Sequence, residues 1–132
     1  MKIISFNVRG LRNAKKRRSL FNRFKTKDYD IICLQETYLK NDDYDKVQNE
    51  WGSVIHISEG TGRSKGIVTL LNKRLKNFQI SNDFFNTRCL ISKLMIEETS
   101  FLIVNVYAPC IQTEKQGFLD MVKQVIETER GG

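Results

Sequence analysis

Asp30-Ile31-Ile32-Cys33-Leu34-Gln35-Glu36-Thr37 holds four consecutive apolar residues closed by a Gln-Glu pair. A strand with one wet face alternates apolar with polar, so Ile31 to Leu34 predict a strand buried on both faces. It stops at Gln35 and Glu36. A carboxylate there has its stem fixed by packing and its head in a cleft, which suits a hard cation such as Mg2+. Glu36 is the first candidate site residue; the alternative is a solvated strand end, where most carboxylates sit.

Outward from this stretch, 132 residues fit one domain with a real core. A hydrophobic fraction of 40% with eight Phe predicts a globular fold and excludes disorder. No apolar run reaches the length of a membrane span, and the N-terminus lacks the apolar stretch of a secretory leader. A soluble, intracellular protein with no membrane partner is expected. Cys33, Cys89 and Cys110 are too few and too scattered for a disulfide framework and point to reduced thiols, Cys33 as core. With one histidine, His56, and no paired Cys spacing, a structural zinc site is excluded. His56 lies in a strand-like run at residues 53–58 and reads as a strand residue, not a ligand.

The net charge of +7 is distributed in blocks. Residues 1–27 carry ten Lys or Arg and no acid, and residues 28–59 carry eight acids and two bases. Residues 60–93 hold seven bases against Asp83, and from Leu94 onward six acids face three bases. Two basic segments thus bracket the one that carries Glu36. Such a field would draw in a polyanion and hold its phosphates near an acidic cleft; a solvated basic helix face is the equal alternative.

Lys2 to Asn7 reads as a strand broken by Gly10. From Ala14 to Lys25, Leu20, Phe21 and Phe24 recur at helical spacing, with Lys15, Lys16, Arg17, Arg18 and Arg23 keeping their charges wet on the remaining surface. Residues 37–50 predict loop with a short helix, and Trp51 a packed aromatic near the next strand. Residues 60–66, Gly-Thr-Gly-Arg-Ser-Lys-Gly, form a turn-rich loop before the apolar run 67–71; its spacing is not that of a phosphate-binding P-loop, so a hairpin connection is the stronger reading. Strands follow at 78–81, 89–96 and 100–106, the last two antiparallel. A second helix spans 113–128, with Gly131 as a C-cap. Together these describe a mixed sheet with helices packed on it. Two helices can cover only one sheet face, yet three strands look apolar on both, so more chain or a partner should cover the second face.

Three segments resemble, in order and spacing, the endonuclease/exonuclease/phosphatase superfamily: Phe6-Asn7-Val8-Arg9-Gly10-Leu11, Leu34-Gln35-Glu36-Thr37 and Asn105-Val106-Tyr107-Ala108-Pro109. Arg9-Gly10-Leu11 before a Lys/Arg-rich helix is most similar to the endonucleases of LINE-type non-LTR retrotransposons, relatives of the abasic-site endonucleases, and Gly-Ile-Val-Thr-Leu-Leu-Asn at 66–72 fits the same pattern. The resemblance implies an α/β (α+β) fold, a four-layer α/β/β/α sandwich with a mixed, largely antiparallel sheet. It also implies Mg2+-dependent (alternatively Mn2+-dependent) hydrolysis of a phosphodiester. By the same resemblance Glu36 matches a metal ligand, Asn7 belongs to the catalytic cluster, and Tyr107 lies by the scissile phosphate.

The family's Gly-Asp-x-Asn and Ser-Asp-His motifs, which hold its catalytic Asp and His residues, have no match in this sequence. Residues 1–132 therefore resemble the N-terminal half of the domain, whose second half would cover the open sheet face. The expected function is target-DNA nicking by a retrotransposon endonuclease that continues into a reverse transcriptase and acts in the nucleus, with little turnover by this half alone. Arg9, Arg12, Lys15, Arg63 and Lys65 are the candidate contacts to the DNA backbone. Two alternatives stand beside it: an inactive nucleic-acid-binding remnant, and another superfamily phosphodiesterase or phosphatase.

Overall fold

The structure, a computed structural model, describes residues 1–75, 78–80, 88–96, 98–107 and 112–131. The chain runs β1 (Ile3–Asn7), α1 (Ala14–Thr26), β2 (Ile31–Gln35), a 3-10 turn (Asn41–Asp43), α2 (Tyr44–Trp51), β3 (Ile55–Ser58), β4 (Ile67–Leu71), β5 (Phe78–Ile80), β6 (Cys89–Ile96), β7 (Thr99–Val106) and α3 (Gln112–Gly131). The Asn13 side chain accepts the Lys16 backbone N–H and so caps α1, satisfying a donor that the first helical turn leaves open.

The strands build two sheets. In the first, of order β1-β2-β4-β3, β1 runs parallel to β2, while β2–β4 and β3–β4 are antiparallel. A parallel pair needs a crossover, and α1 supplies it. The loop at 60–66 joins antiparallel β3 and β4, as a hairpin connection should. The second sheet, of order β5-β6-β7, is wholly antiparallel.

Period-two alternation sorts each strand between two cores. Ile32, Leu34, Val68, Leu70 and Ile55 face α1 and α2, where Phe21, Phe24, Val47 and Trp51 meet them. On the reverse side Ile31, Cys33 and Leu71 pack against the second sheet through Leu94, Phe101 and Ile103. The outer face of that sheet, with Cys89 and Ile91, is closed by Val122 and Ile126 of α3. The order of layers is thus helix, sheet, sheet, helix.

Several expectations change. The second face of the first sheet is covered by this chain's own β5–β7, because the later strands form a separate sheet and do not extend the first. Accordingly α1 and α3 lie on opposite outer faces. Gly131 is the last helical residue and not the cap, helix ends being what periodicity fixes least. Trp51 closes α2, its Nε1–H donating to the Leu71 carbonyl at 2.9 Å and its ring edge-on to Phe21 at 5.5 Å. Cys33 is core, its thiol pushed up to about 11 by burial; Cys110 lies outside the described residues.

Arg17 overturns the expectation that every cation of α1 stays wet. It lies one turn before Phe21 on the buried stripe and is 1% exposed. Its guanidinium donates to both Glu50 carboxylate oxygens, at 2.7 and 2.9 Å, and to the carbonyls of Leu11 and Arg12. The planar fork is what makes burial tolerable, since each of its three nitrogens finds an acceptor. The pair ties α1, α2 and the loop after β1 together.

Glu50→Gln should lower the free energy of unfolding by about 3 kcal/mol, because it leaves a buried guanidinium without its anion; urea titration measures this. The Arg17 hydrogen bond holds the Glu50 carboxyl below its ordinary 4.5. A depressed carboxyl stabilises the fold above its unfolded value, and the contribution fades as pH falls below about 4.5 toward the folded value. Glu50→Gln should therefore flatten the acid limb of stability against pH.

Candidate active site

The ends of β1 and β2 continue to pair after the strands stop. Val8 N–H donates to the Gln35 carbonyl at 3.0 Å, Gly10 N–H to Glu36 at 2.6 Å and Leu11 N–H to Thr37 at 2.8 Å. Residues 8 and 10 thus answer successive carbonyls at 35 and 36, and Arg9 is the extra residue, looped out as in a β-bulge. From the other side Thr37 N–H donates to the Gly66 carbonyl at 3.1 Å and Tyr38 N–H to Lys65 at 2.8 Å. Three loops are laced around Glu36.

This lacing requires left-handed backbone. Arg9 (φ 50°), Glu36 (φ 54°), Tyr38 (φ 63°) and Lys65 (φ 61°) all adopt it, beside Gly10 (φ 99°) and Gly66 (φ 94°). For a non-glycine residue this costs about 1–2 kcal/mol, and such residues collect at functional sites. The two glycines are needed for space as well: a Cβ on Gly10 would lie 2.9 Å from the Tyr38 ring, and one on Gly66 2.6 Å from Thr37 Oγ1.

Glu36 is half-buried at the centre of this arrangement. Among the described residues its carboxylate has no hydrogen-bond or ion-pair partner. Asn7, opposite Gln35 in the β1–β2 register, accepts the Arg9 backbone N–H on Oδ1 at 3.1 Å. That bond fixes the amide and directs its N–H groups elsewhere. The sequence-predicted pair Asn7 and Glu36 thus lies at one strand end.

Tyr107 leaves the sandwich at the same end. Gln35, the last residue of β2, donates from Nε2 to Asn105 Oδ1 at 2.9 Å, and Asn105 is the penultimate residue of β7. The Tyr107 backbone N–H donates to the Arg88 carbonyl at 2.9 Å, and the Arg88 guanidinium lies 5.6 Å from the Tyr107 ring centre. Ala108 and Pro109 lie outside the described residues. Arg88 was not singled out by the sequence, although its place before β6 sets it opposite Tyr107 once the hairpin register is known.

Gln35 and Asn105 are buried and were also missed. Gln35 Nε2 further donates to Ser5 Oγ and the Cys33 carbonyl, and Asn105 Nδ2 donates to the Val68 carbonyl and to Thr69 Oγ1. This amide pair bridges the two sheets beneath the site. Its signal in the sequence is a polar residue at or next to the end of each strand, following an apolar run.

The predicted backbone contacts divide. Arg9, Arg63 and Lys65 are exposed on the laced loops. Arg12 is half-exposed, with Nε 3.5 Å from Asp43, and lies against Gly62 of the 60–66 loop. Lys15 sits apart, on the first turn of α1, where it lines an open groove with Phe6, Val8, Arg9 and Lys16. His56 bonds Ser92 Oγ through Nδ1 at 3.2 Å between the sheets. Among the described residues no group of three His, Cys, Asp or Glu could hold a metal.

A family model described as Endonuclease/Exonuclease/phosphatase family matches residues 4–128. An exodeoxyribonuclease of Bacillus subtilis is 44% identical over 45 residues, 34% of this chain and 18% of that protein. The endonuclease domain of TRAS1, a telomere-specific non-LTR retrotransposon, superimposes with a TM-score of 0.60 at 15% identity, over 93% of this chain and 52% of that one. D. rerio TDP2, complexed with a single-strand DNA product, gives a TM-score of 0.65 at 20% identity, over 95% and 54%. The chain spans about half the length of these two solved structures, whose likeness is one of fold.

Gly66→Ala should cost about 2–3 kcal/mol, since it adds a clash to the strain of its φ. Gly52→Ala is the control: its φ is +84° but nothing lies within 4 Å of the new Cβ, so about 1 kcal/mol is expected. Equal losses in urea titration would mean that the lacing is not tight. Asn105→Leu should cost about 2 kcal/mol by leaving the buried Val68 carbonyl and the Gln35 amide short of partners, read as a lower unfolding temperature.

Proposed function

This chain belongs to the endonuclease/exonuclease/phosphatase family, and on that premise we propose that it forms the Glu36-bearing half of a metal-dependent DNA endonuclease of a non-LTR retrotransposon. The observation that carries this is the placement of Glu36. A carboxylate with no partner among the described residues is held by strained, laced backbone beside Asn7, at the sandwich end where Tyr107 emerges. A carboxylate oxygen suits Mg2+ or Mn2+, and Mg2+ in particular is usually held by one or two carboxylates, with water and substrate phosphate filling the rest of its shell. A single carboxylate is therefore an acceptable donor set.

Glu36 would hold the ion, whose part is to polarise the phosphoryl group and stabilise the leaving oxygen. Asn7, its Oδ1 already engaged by Arg9 N–H, donates from Nδ2 to a phosphate oxygen or to water. Tyr107 donates its phenol proton in a hydrogen bond to a phosphate oxygen as negative charge grows there. Arg88, next to Tyr107, adds positive charge on the same side. Arg9, Arg12, Lys15, Arg63 and Lys65 position the DNA backbone, each contributing little and all of them sensitive to salt.

Activation of the attacking water is assigned to Asp and His residues of a second half, which the complete domain would carry with a reverse transcriptase beyond it. Residues 1–132 alone then turn over little DNA. The cellular site of action is the nucleus, where target DNA is. The second reading is an inactive nucleic-acid-binding remnant, favoured by the ten Lys or Arg and no acid in residues 1–27.

Supercoiled-plasmid nicking by the full-length parent in Mg2+ decides between them. Glu36→Ala should reduce the rate by about 10²–10³-fold, and a chelator should abolish nicking. A parent that nicks equally well without Glu36 removes the residue from the site, and a parent with no nicking activity leaves the remnant.

A further inference from the structure

Arg88 and Tyr107 stand directly opposite each other at the site end of the second sheet. The β6–β7 register ends on Cys89 and Val106, and one more backbone bond, from the Tyr107 N–H to the Arg88 carbonyl, extends it by a pair. Directly opposite residues present their side chains on one face, close enough to interact.

Arg88 touches its neighbour twice. Its guanidinium carbon lies over the Tyr107 ring, 5.6 Å from the centre, and its Nη1 donates to the Tyr107 carbonyl at 3.4 Å. A cation in that place is attracted to the electron-rich face of the ring, and the flat guanidinium stacks there as a compact ammonium does not. Arg12, Arg17 and Arg74 are each paired with a carboxylate, whereas Arg88 is paired with none among the described residues. It is nevertheless half-buried. The contact that orders this cation is therefore the aromatic one.

The contact acts in the other direction as well. A tyrosine hydroxyl swings with both side-chain torsions, so a donor aimed at one phosphate oxygen needs its ring held. We propose that Arg88 is a positioning residue: its guanidinium, stacked on the Tyr107 ring, holds the phenol where its hydroxyl meets the phosphate. The inference rests on the role given to Tyr107 in the proposed function. It does not depend on what flanks the pair in a longer protein, since both partners belong to this chain.

Ring position is read on the 132-residue chain without metal or DNA. With 3-fluorotyrosine at its four Tyr positions, the fluorine signal of Tyr107 is the one lost in Tyr107→Phe. Arg88→Ala should move that signal toward free 3-fluorotyrosine and leave those of Tyr29, Tyr38 and Tyr44 in place. Tyr29 and Tyr44 pack on the helix-side core, so they report any folding defect. Arg88→Met, which keeps bulk without plane or charge, gives the same reading should the alanine variant misfold. A Tyr107 signal unmoved in both variants overturns the proposal.

Plasmid nicking by the full-length parent tests the consequence. Tyr107→Phe, which keeps the ring and removes the donor, should lower kcat about 10²-fold. Arg88→Ala should lower kcat about 10-fold with little change in KM. In the Tyr107→Phe background Arg88→Ala should cost nothing further, because the hydroxyl it positions is gone. Two losses that multiply would mean that Arg88 acts on phosphate directly, and an unchanged kcat in Arg88→Ala that the stack has no part in the reaction; either overturns the proposal. A parent that does not nick, or that nicks without Glu36, defeats the metal-site reading instead, and the fluorine signal still decides whether Arg88 holds the ring.

Discussion

The site depends on one backbone hydrogen bond, from the Gly10 N–H to the Glu36 carbonyl at 2.6 Å. A parallel ladder continued without interruption would run Asn7, Val8 and Arg9 past Gln35, Glu36 and Thr37 in simple register and keep both chains extended. Here Arg9 is squeezed out, both chains turn into the left-handed region, and the pairing resumes one residue out of step. The same turn hands Thr37 and Tyr38 to the carbonyls of Gly66 and Lys65. Four non-glycine residues in left-handed conformation, at about 1–2 kcal/mol each, are therefore held by bonds that exist only because of them. Such strain persists where the surroundings over-determine it, and the two sheet cores below provide that support.

The support is polar as well as apolar. On the helix side the buried Arg17 guanidinium holds the carbonyls of Leu11 and Arg12, which directly follow the bulge. Between the sheets Gln35 and Asn105 join the end of β2 to the end of β7. Glu36 follows one of these residues and Tyr107 lies two after the other, so a buried amide pair fixes the end from which both side chains emerge. A polar pair in a core costs free energy unless all its groups are satisfied. Among the described residues no buried side-chain nitrogen or oxygen lacks a partner.

Much of this was legible in the chain. Consecutive apolar residues at 31–34 and 67–71 identified strands buried on both faces, and the Phe/Leu stripe of α1 identified the helix above them, because burial leaves a periodic record. The Glu36 placement was legible for the same reason, as the residue at which an apolar run stops. The division of the strands into two sheets was not, since a local pattern says that a face is buried and not against what. Arg17 was read as wet because a cation on an amphipathic helix usually is. Only the pairing with Glu50, 33 residues on, makes its burial possible, and no local signal carries a pairing at that range. The left-handed turns at Arg9, Glu36, Tyr38 and Lys65 were hidden likewise, as glycine is the only residue whose identity announces that conformation.

The charge distribution gives these geometric facts their direction. Glu36 stands in a chain of net charge +7, with Arg9, Arg12, Arg63 and Lys65 on the loops around it. A flexible cation close to a carboxylate would ordinarily pair with it, yet among the described residues none of these four does. Arg12 is drawn off by Asp43, and Arg9 and Lys65 belong to the strained turns themselves, where backbone bonds set their course. The lacing thus keeps a negative charge unneutralised within a positive field. That is an unfavourable arrangement for an isolated domain, and it becomes favourable when a cation meets the carboxylate and a polyanion meets the rim. On the proposed function each of those two ligands would improve the site for the other, since a cation would remove the one charge that repels phosphates.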